Sequence, residues 1–532
     1  PLNTLCQDPS FMSRALFKAT SLVGGMTLIS RILGFARDMV LARYFGAGMV
    51  MDAFFVAFKI PNFMRRTFGE GAFSLAFVPV ISEYKTTRNH EEVKELADRV
   101  AGSLGLVLIV VTIIGVIAAP VLVWIFAPGF SVHASKYELT VAMVRITFPY
   151  MLFISLTAFA GGILNTYGKF GVPAFTPVLL NIILILAAVF LAPHLANPGM
   201  ALAWGVFFAG VVQLAFQIPF LFHLKLLPRP KLSDGHEAVR RIMKLMLPAL
   251  FGSSVTQVNL VVDTIIASFL ATGSVSWLYY SDRLMEFPLG VFSIALGTVI
   301  LPNLAQHFAA KSTIGFSATM DWALRLVTVV AIPAAVGLFF MAGPLLVTLF
   351  HYGRFNAYDS RMAEASLMAY AVGLMGFTLV KVFAPGFYAR QDTRTPVKIG
   401  VISVVANIVL NIVITIPWAM SGLAAPHAGL ALSTSLAAFI NAWLLYRALR
   451  RAGVYQPAPG WRILLRRVLI ANVVMGGLLW GLLSNLDVWL ARDAVQRVLW
   501  LAVWIIVAVA VYFLVLFLGG FRLRHLRRMQ AI

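Results

Sequence analysis

Arginine, lysine and carboxylate side chains recur inside stretches that are otherwise apolar, and that placement is the chain's first chemical signal. Around residues 21–47 stand Arg31, Arg37, Asp38 and Arg43, and around 49–84 stand Asp52, Lys59, Arg65, Arg66 and Glu70. Around 274–309 stand Asp282, Arg283 and Glu286, and Lys381 lies within 358–388. An ionisable group at bilayer depth costs on the order of a few kcal/mol, so it belongs to a watery cavity, a partner or a functional site. Cations outnumber acids in the first two stretches. The guanidinium fork matches phosphate oxygens bidentately and is weakly hydrated, which makes arginine the expected residue for a diphosphate group in a partly dry cavity.

Each of these groups also has a plainer role open to it. Arg66 and Glu70, four apart, and Arg283 and Glu286, three apart, have the spacing of ion pairs within one helix. Arg43, Lys59 and Lys381 can snorkel to an interface. Arg31 and Asp38, seven apart, share one helix face, where they can orient each other or a cargo. A quieter cluster comprises Asp263, then Asn407 and Asn411 one turn apart, then Ser433 and Thr434. Oxygen atoms from three helices suit a hard cation such as sodium; ordinary hydrogen bonding between helices is the alternative. The sequence has no phosphate-binding Gly-x-x-x-x-Gly-Lys loop, no His-Glu-x-x-His and no nucleophile elbow, so the reading is of a protein that is not an enzyme and needs no organic cofactor.

The elements that must position these residues are membrane helices. The 532 residues are 60% hydrophobic and 12% charged, with a mean hydropathy of +0.88. Apolar runs of the roughly 20 residues needed to cross the hydrocarbon layer recur throughout, and their boundaries predict an all-α polytopic membrane protein of about fourteen transmembrane helices. The net charge of +21 does not indicate nucleic acid, because it falls in short connections between apolar runs. One side of the membrane collects Lys85, Arg88, Lys94 and Arg99, then Arg229 to Lys244, then Arg447 to Arg467 and the tail from Arg522; the other holds Lys136, Arg354, Arg361 and Arg492. Lysine and arginine stay inside, so both termini are expected in the cytoplasm. Residues 1–11 read as a leader or extension before Met12, too short and polar for a signal peptide, and Cys6, the single cysteine, leaves no internal disulfide.

The sequence repeats itself about 224 residues apart. Ala119 to Phe126 returns as Gly343 to Phe350, Thr176-Pro177-Val178 as Thr395-Pro396-Val397, and Val78-Pro79 as Leu301-Pro302. Six helices per unit preserve orientation, which predicts two parallel six-helix repeats plus two extra C-terminal helices. The expected boundaries are 12–230 for the first lobe, 231–452 for the second, and 453–532 for the last helix pair and basic tail. The charged stretches then fall in the first and second helices of each repeat, where a two-lobed transporter faces its cleft. Pro61, Gly69 and Gly71 in the second span, and Pro288 and Gly290 in the eighth, are expected to interrupt their helices beside such a cavity.

Several of these runs carry a family resemblance. Ser30 to Asp38, Asp52 to Asn62, Arg65-Arg66 to Glu70-Gly71-Ala72-Phe73, Tyr280 to Pro288 and Lys381 to Tyr388 closely resemble the MurJ (MviN) lipid II flippases of the multidrug/oligosaccharidyl-lipid/polysaccharide exporter superfamily. The resemblance extends from about Met12 to the C-terminus. It implies a multi-pass protein of the bacterial inner membrane that moves undecaprenyl-diphosphate-linked peptidoglycan precursor outward by alternating access. Lipid II is then the cargo, and membrane lipids and cell-wall synthesis proteins are the expected partners. The family's cavity-charge pattern falls on Arg31, Arg37, Asp38, Asp52, Arg65, Glu70, Arg283, Glu286 and Lys381. Some members bind sodium at positions matching Asp263, Asn407, Asn411 and Thr434; Asn411 stands where the sodium-binding form is acidic, a departure. Sodium and the membrane potential are the two expected drives. The rival readings are a flippase for another undecaprenyl-linked oligosaccharide, an ion-coupled multidrug exporter, whose cleft should be acidic and aromatic, and a membrane scaffold.

Overall fold

A computed structural model describes residues 9–67, 73–232, 236–483 and 485–522. Among these residues every regular element is helical. In chain order the α-helices are α1 (Pro9–Phe45), α2 (Met49–Met64), α3 (Ser74–Thr87), α4 (His90–Ile117), α5 (Ala119–Phe126), α6 (Ala134–Thr147), α7 (Tyr150–Thr166), α8 (Gly171–Leu186), α9 (Met200–His223) and α10 (Glu237–Ser268). They continue with α11 (Ser274–Ala309), α12 (Thr313–Phe340), α13 (Ala342–Phe350), α14 (Ala357–Tyr388), α15 (Arg394–Leu410), α16 (Ile416–Met420), α17 (Ala428–Arg451), α18 (Trp461–Leu483), α19 (Leu486–Leu490) and α20 (Ala494–Leu518). Ten helical segments of the described residues are long and apolar enough to cross a membrane.

The chain divides into two compact units, 1–257 and 258–532, and the division falls within α10. In the first, Phe77 on α3, Leu96 on α4, Ile163 on α7 and Ile242 on α10 share one buried cluster. In the second, α12, α14 and α17 meet around Met320, Val382 and Leu445. The helices α14 and α17 approach closely because Gly373 and Gly376 carry no side chain. A Cβ on Gly373 would stand 2.4 Å from Ser435 Oγ, and one on Gly376 would stand 3.0 Å from the Phe439 nitrogen. Small residues one turn apart are what membrane helices use where no hydrophobic force drives them together. Met475 and Leu479 of α18 and Tyr512 of α20 pack with Val329 of α12 and Val347 of α13, so the C-terminal pair belongs to the second unit.

One expectation needs correction. Pro288 and Gly290 do not interrupt the eighth span: α11 runs unbroken from Ser274 to Ala309 with Pro288 and Pro302 inside it. A proline removes one backbone donor, and neighbouring helices can absorb that loss without ending the helix. In the second span Pro61 also stays inside α2. Gly69 and Gly71 lie outside the described residues.

Each unit fastens the segment that leaves its sixth span by the same means. On α4, Asp98 is 4% exposed and accepts the Arg229 backbone N–H at 2.7 Å and the Lys94 ammonium. Its own carbonyl accepts the Lys231 N–H at 3.0 Å. The passing backbone is so close that a Cβ on Gly102 would stand 2.0 Å from the Lys231 carbonyl oxygen. On α12, about one repeat later, Asp321 is fully buried. It accepts from Tyr455 Oη at 2.9 Å, the Ala458 N–H at 3.1 Å, Trp461 Nε1 at 2.7 Å and Arg325 Nε at 2.7 Å. Arg325 in turn donates to the Ala458 and Pro459 carbonyls at 3.2 and 2.8 Å. Burial and the neighbouring Asp321 carboxylate raise the Tyr455 phenol above its ordinary pKa, so it stays a donor.

Removing a buried acid strands the donors that served it. We therefore expect Asp321→Ala to cost on the order of 3–5 kcal/mol locally. Hydrogen exchange over residues 452–461 should accelerate strongly while α4 keeps its protection; unchanged protection of 452–461 would contradict the fastening.

Candidate functional site

The cationic cluster of the first unit is only partly open to a ligand. Arg37 and Asp38, 6% and 0% exposed, face each other: Arg37 Nε and Nη2 donate to Asp38 Oδ1 at 3.0 and 2.6 Å. Arg37 Nη1 donates to Asn181 Oδ1 at 3.1 Å, and Asn181 Nδ2 donates to the Ser30 carbonyl at 3.1 Å. This ties α8 across α1 at two levels, one turn below and one above Gly34. Asp38 is thus served by its sequence neighbour, not by Arg31. Arg31 lies seven residues from Asp38 on an exposed part of α1. Arg65 is half-buried just past α2 and donates Nε to Asn62 Oδ1 at 3.1 Å. Glu70 lies outside the described residues.

Asp52 occupies a different environment from the arginines. It is fully buried in α2 and pairs with Lys136 of α6, Nζ to Oδ2, at 2.8 Å. The Lys136 ammonium also lies 4.0 Å from the centroid of the Phe130 ring. Lys136 is 3% exposed, so the residue that the sequence assigns to an outer connection is a core cation. The ammonium is held between the carboxylate and the ring, the latter a cation–π contact that strengthens when water is excluded.

In the second unit, Arg283 Nη1 donates to Glu286 Oε2 at 3.1 Å, the helical pair that their spacing predicts. Their side chains are 30% and 46% exposed, so the pair is accessible and its bond weak. Lys381 is exposed on α14. The polar quartet does assemble. Asn407 Nδ2 and Asn411 Nδ2 donate to Asp263 Oδ1 at 3.2 and 2.8 Å, and Thr434 Oγ1 donates to Asp263 Oδ2 at 3.3 Å. Asn407 Nδ2 also reaches Asn259 Oδ1 at 3.2 Å. The amide oxygens of Asn407 and Asn411, both residues fully buried, have no hydrogen-bond partner. Neither does the hydroxyl of Thr415, which closes a π-helical turn, Asn411–Thr415. Such turns are rare and recur at functional sites. The hydrogen bonds to Asp263 join these helices in the ordinary way, and the two amide oxygens left over are of the type that hard cations accept as ligands.

Asn181, Lys136 and Asn259 are the members of these clusters that sequence reading misses. Asn259 stands one turn before Asp263 and was open to recognition by that spacing; Asn181 and Lys136 lie 144 and 84 residues from their partners and carry no local signal.

Two units rich in membrane-length helices, arginines on their charged spans and a buried polar site in the second define a polytopic transporter. Similarity to solved structures agrees at the level of fold. An inward-facing multidrug transporter of the MATE family, 13% identical and covering 81% of this chain and 98% of its own, superposes with a TM-score of 0.64. A structure of lipid II flippase MurJ in an inward closed conformation, 26% identical, covers 93% of this chain and 97% of its own with a TM-score of 0.75. The family model for lipid II flippase MurJ matches residues 41–518. A probable lipid II flippase MurJ from Haemophilus influenzae is 46% identical over 94% of this chain and 99% of its own. The lipid II flippase MurJ of Burkholderia cenocepacia is 43% identical over 96% and 99%. The chain belongs to the MurJ lipid II flippase family.

The Asp52–Lys136 pair yields a direct test. Lys136→Met should destabilise the first unit by roughly 3–5 kcal/mol, because it leaves an uncompensated buried carboxylate. Adding Asp52→Asn should restore most of that loss. Thermal unfolding in detergent of the two single variants and the double variant measures the coupling; additive losses would show that the pair is not a unit.

Proposed function

We propose that this protein moves lipid II from the cytoplasmic to the outer leaflet of the bacterial inner membrane by alternating access. The full-length match to the lipid II flippase family carries this reading, and the excess of arginine on the charged spans supplies its chemistry. Arg31, Arg65 and Arg283, with Lys381, take the diphosphate. Arg37, Asp38 and Asp52 hold the helices that present them, while Glu286 and Glu70 balance the charge left when no cargo is bound. No covalent step is needed. A multidrug exporter of cations fits less well, since its cleft needs acids where this chain has arginines.

The architecture proposed is of fourteen spans with both termini in the cytoplasm, in lobes 12–230 and 231–452 with a final pair in 453–532. The four spans beyond those ten are α1, α2 with α3, α10 and α11. The apolar outer faces of α18 and α20 suit the polyprenyl tail. With the cytoplasm negative, outward movement of each unit of negative charge gains about 2.3 kcal/mol per 100 mV, and the return of an empty cationic site is favoured as well. Sodium bound through Asp263, Asn407, Asn411 and Thr434 is the second proposed drive, supported by the two orphaned amide oxygens.

Complementation of cells depleted of their own lipid II flippase tests the cargo role. At equal membrane abundance, Arg31→Ala and Arg283→Ala should each fail to restore growth, whereas Arg361→Ala should rescue fully. Rescue by both cavity variants would remove the cargo assignment. For the ion, sodium should raise the unfolding temperature of the wild type relative to potassium, as any ligand specific to the folded state does. Asp263→Ala should abolish that rise; a sodium effect that survives the substitution would exclude the site.

A further inference from the structure

The turn joining α18 to α20 carries or meets three arginines, and two of them are fully engaged. Arg361 of α14 donates Nη2 to Asp487 Oδ1 at 2.6 Å. Arg497, 7% exposed, donates Nε to the Trp489 carbonyl at 3.2 Å, Nη1 to the His351 carbonyl at 3.2 Å and Nη2 to the Leu490 carbonyl at 2.9 Å. Its guanidinium lies 5.8 Å from the Tyr352 ring centroid. Burial and the Arg497 charge hold His351 below its ordinary pKa, so this ring adds no second cation. Arg497 therefore staples residues 489 and 490 to the chain at 351.

Arg492 sits two residues past that staple and is held differently. Its guanidinium carbon lies 4.8 Å from the Trp489 ring centroid and 5.0 Å from that of Trp500. The two indoles lie beside the guanidinium at cation–π distance. Nη1 is covered and has no acceptor, while the side chain as a whole stays partly exposed. A buried, unused donor on a cation is costly unless something accepts from it. Neither nearby acid is placed to do so: Asp487 is held by Arg361, and Asp493 caps α20 by accepting the Gln496 N–H at 2.8 Å.

The surroundings identify the kind of acceptor. Trp489 is 1% exposed, whereas Trp500 is 44% exposed and continues into Val498, Leu499 and Ile506, at 55%, 60% and 67%. Trp500 stacks on Trp504 at 6.2 Å. This is an apolar outer face of a membrane helix that ends in indoles and a guanidinium, the arrangement that marks headgroup level. The molecule that brings an anionic acceptor to such a place, with hydrocarbon to lie along α20, is a lipid. We propose that Arg492, beside Trp489 and Trp500, is a binding site for the phosphate of an anionic membrane lipid at the end of the helix pair remote from Arg462 and Arg522. The site is separate from the arginines assigned to cargo and does not depend on that assignment.

The test uses the full-length protein in phosphatidylcholine nanodiscs, titrated with phosphatidylglycerol or with inorganic phosphate. Tryptophan fluorescence, read as the difference between the wild type and Trp500→Phe because the chain has 11 tryptophans, reports Trp500, and native mass spectrometry counts retained lipid. Phosphatidylglycerol should shift the emission and be retained by the wild type. Arg492→Ala should weaken that retention roughly tenfold, the scale of one charge-assisted contact. Arg492→Lys, which keeps the charge but not the planar fork, should fall between them, and Arg354→Ala, at an exposed arginine, should match the wild type. Equal retention by wild type and both Arg492 variants would overturn the site, as would an equal loss in Arg354→Ala, which would mean diffuse charge. A response to inorganic phosphate without phosphatidylglycerol would overturn the lipid assignment.

Discussion

The cost of placing charge in hydrocarbon governs this molecule, and its buried acids show how that cost is met. Asp38 has Arg37 and Asp52 has Lys136, at 2.6 and 2.8 Å, while Asp98 and Asp321 are met by a basic side chain and by backbone N–H groups together. A buried pair of this kind contributes little net stability over an apolar pair, but its half-removal is severe. Such pairs act as position markers: a helix that slides by a turn leaves a carboxylate without its partner. The cationic site proposed for the cargo draws on this fixity, because arginines offered to a phosphate need helices that do not give way when the ligand is absent.

The distribution of exposure separates two uses of the same chemistry. Arg37 is spent on Asp38 and Asn181, so its charge is structural even though the sequence groups it with Arg31. Arg283, by contrast, keeps an accessible bond to Glu286 in which both partners remain wet. An accessible pair exchanges its partner at small cost, which is what a ligand competing for the cation requires. Glycine packing and charge pairing divide the rest of the work, with Gly373 and Gly376 setting the distance between α14 and α17 and the polar quartet around Asp263 linking α10, α15 and α17.

Much of this was legible in the amino-acid order, for a physical reason. Charge inside an apolar run stands out, so Arg31, Asp52, Arg283 and Asp263 were identifiable without a structure. The pairing of Arg283 with Glu286 followed from helical geometry. Partners far apart in the chain were not legible: Lys136 reads as a loop lysine because nothing nearby reveals that α6 brings it against Asp52 and Phe130. Asn181 is hidden likewise. Proline misled in the opposite direction, since Pro288 suggested a break that α11 does not have. A single lost hydrogen bond is too small a perturbation to end a helix packed on its neighbours.

The fastenings at Asp98 and Asp321 bear on how such a chain could arise. Each unit carries, within itself, the acid that receives the segment following its α9 or α17 helix. A unit built this way is complete at its exit, whatever follows. Gene duplication could join one copy to another without inventing a junction, and the same exit in the second copy accepts α18 and α20 instead of a third unit. The C-terminal pair is then an attachment to a standard port, and its acquisition required no change in the helices before it.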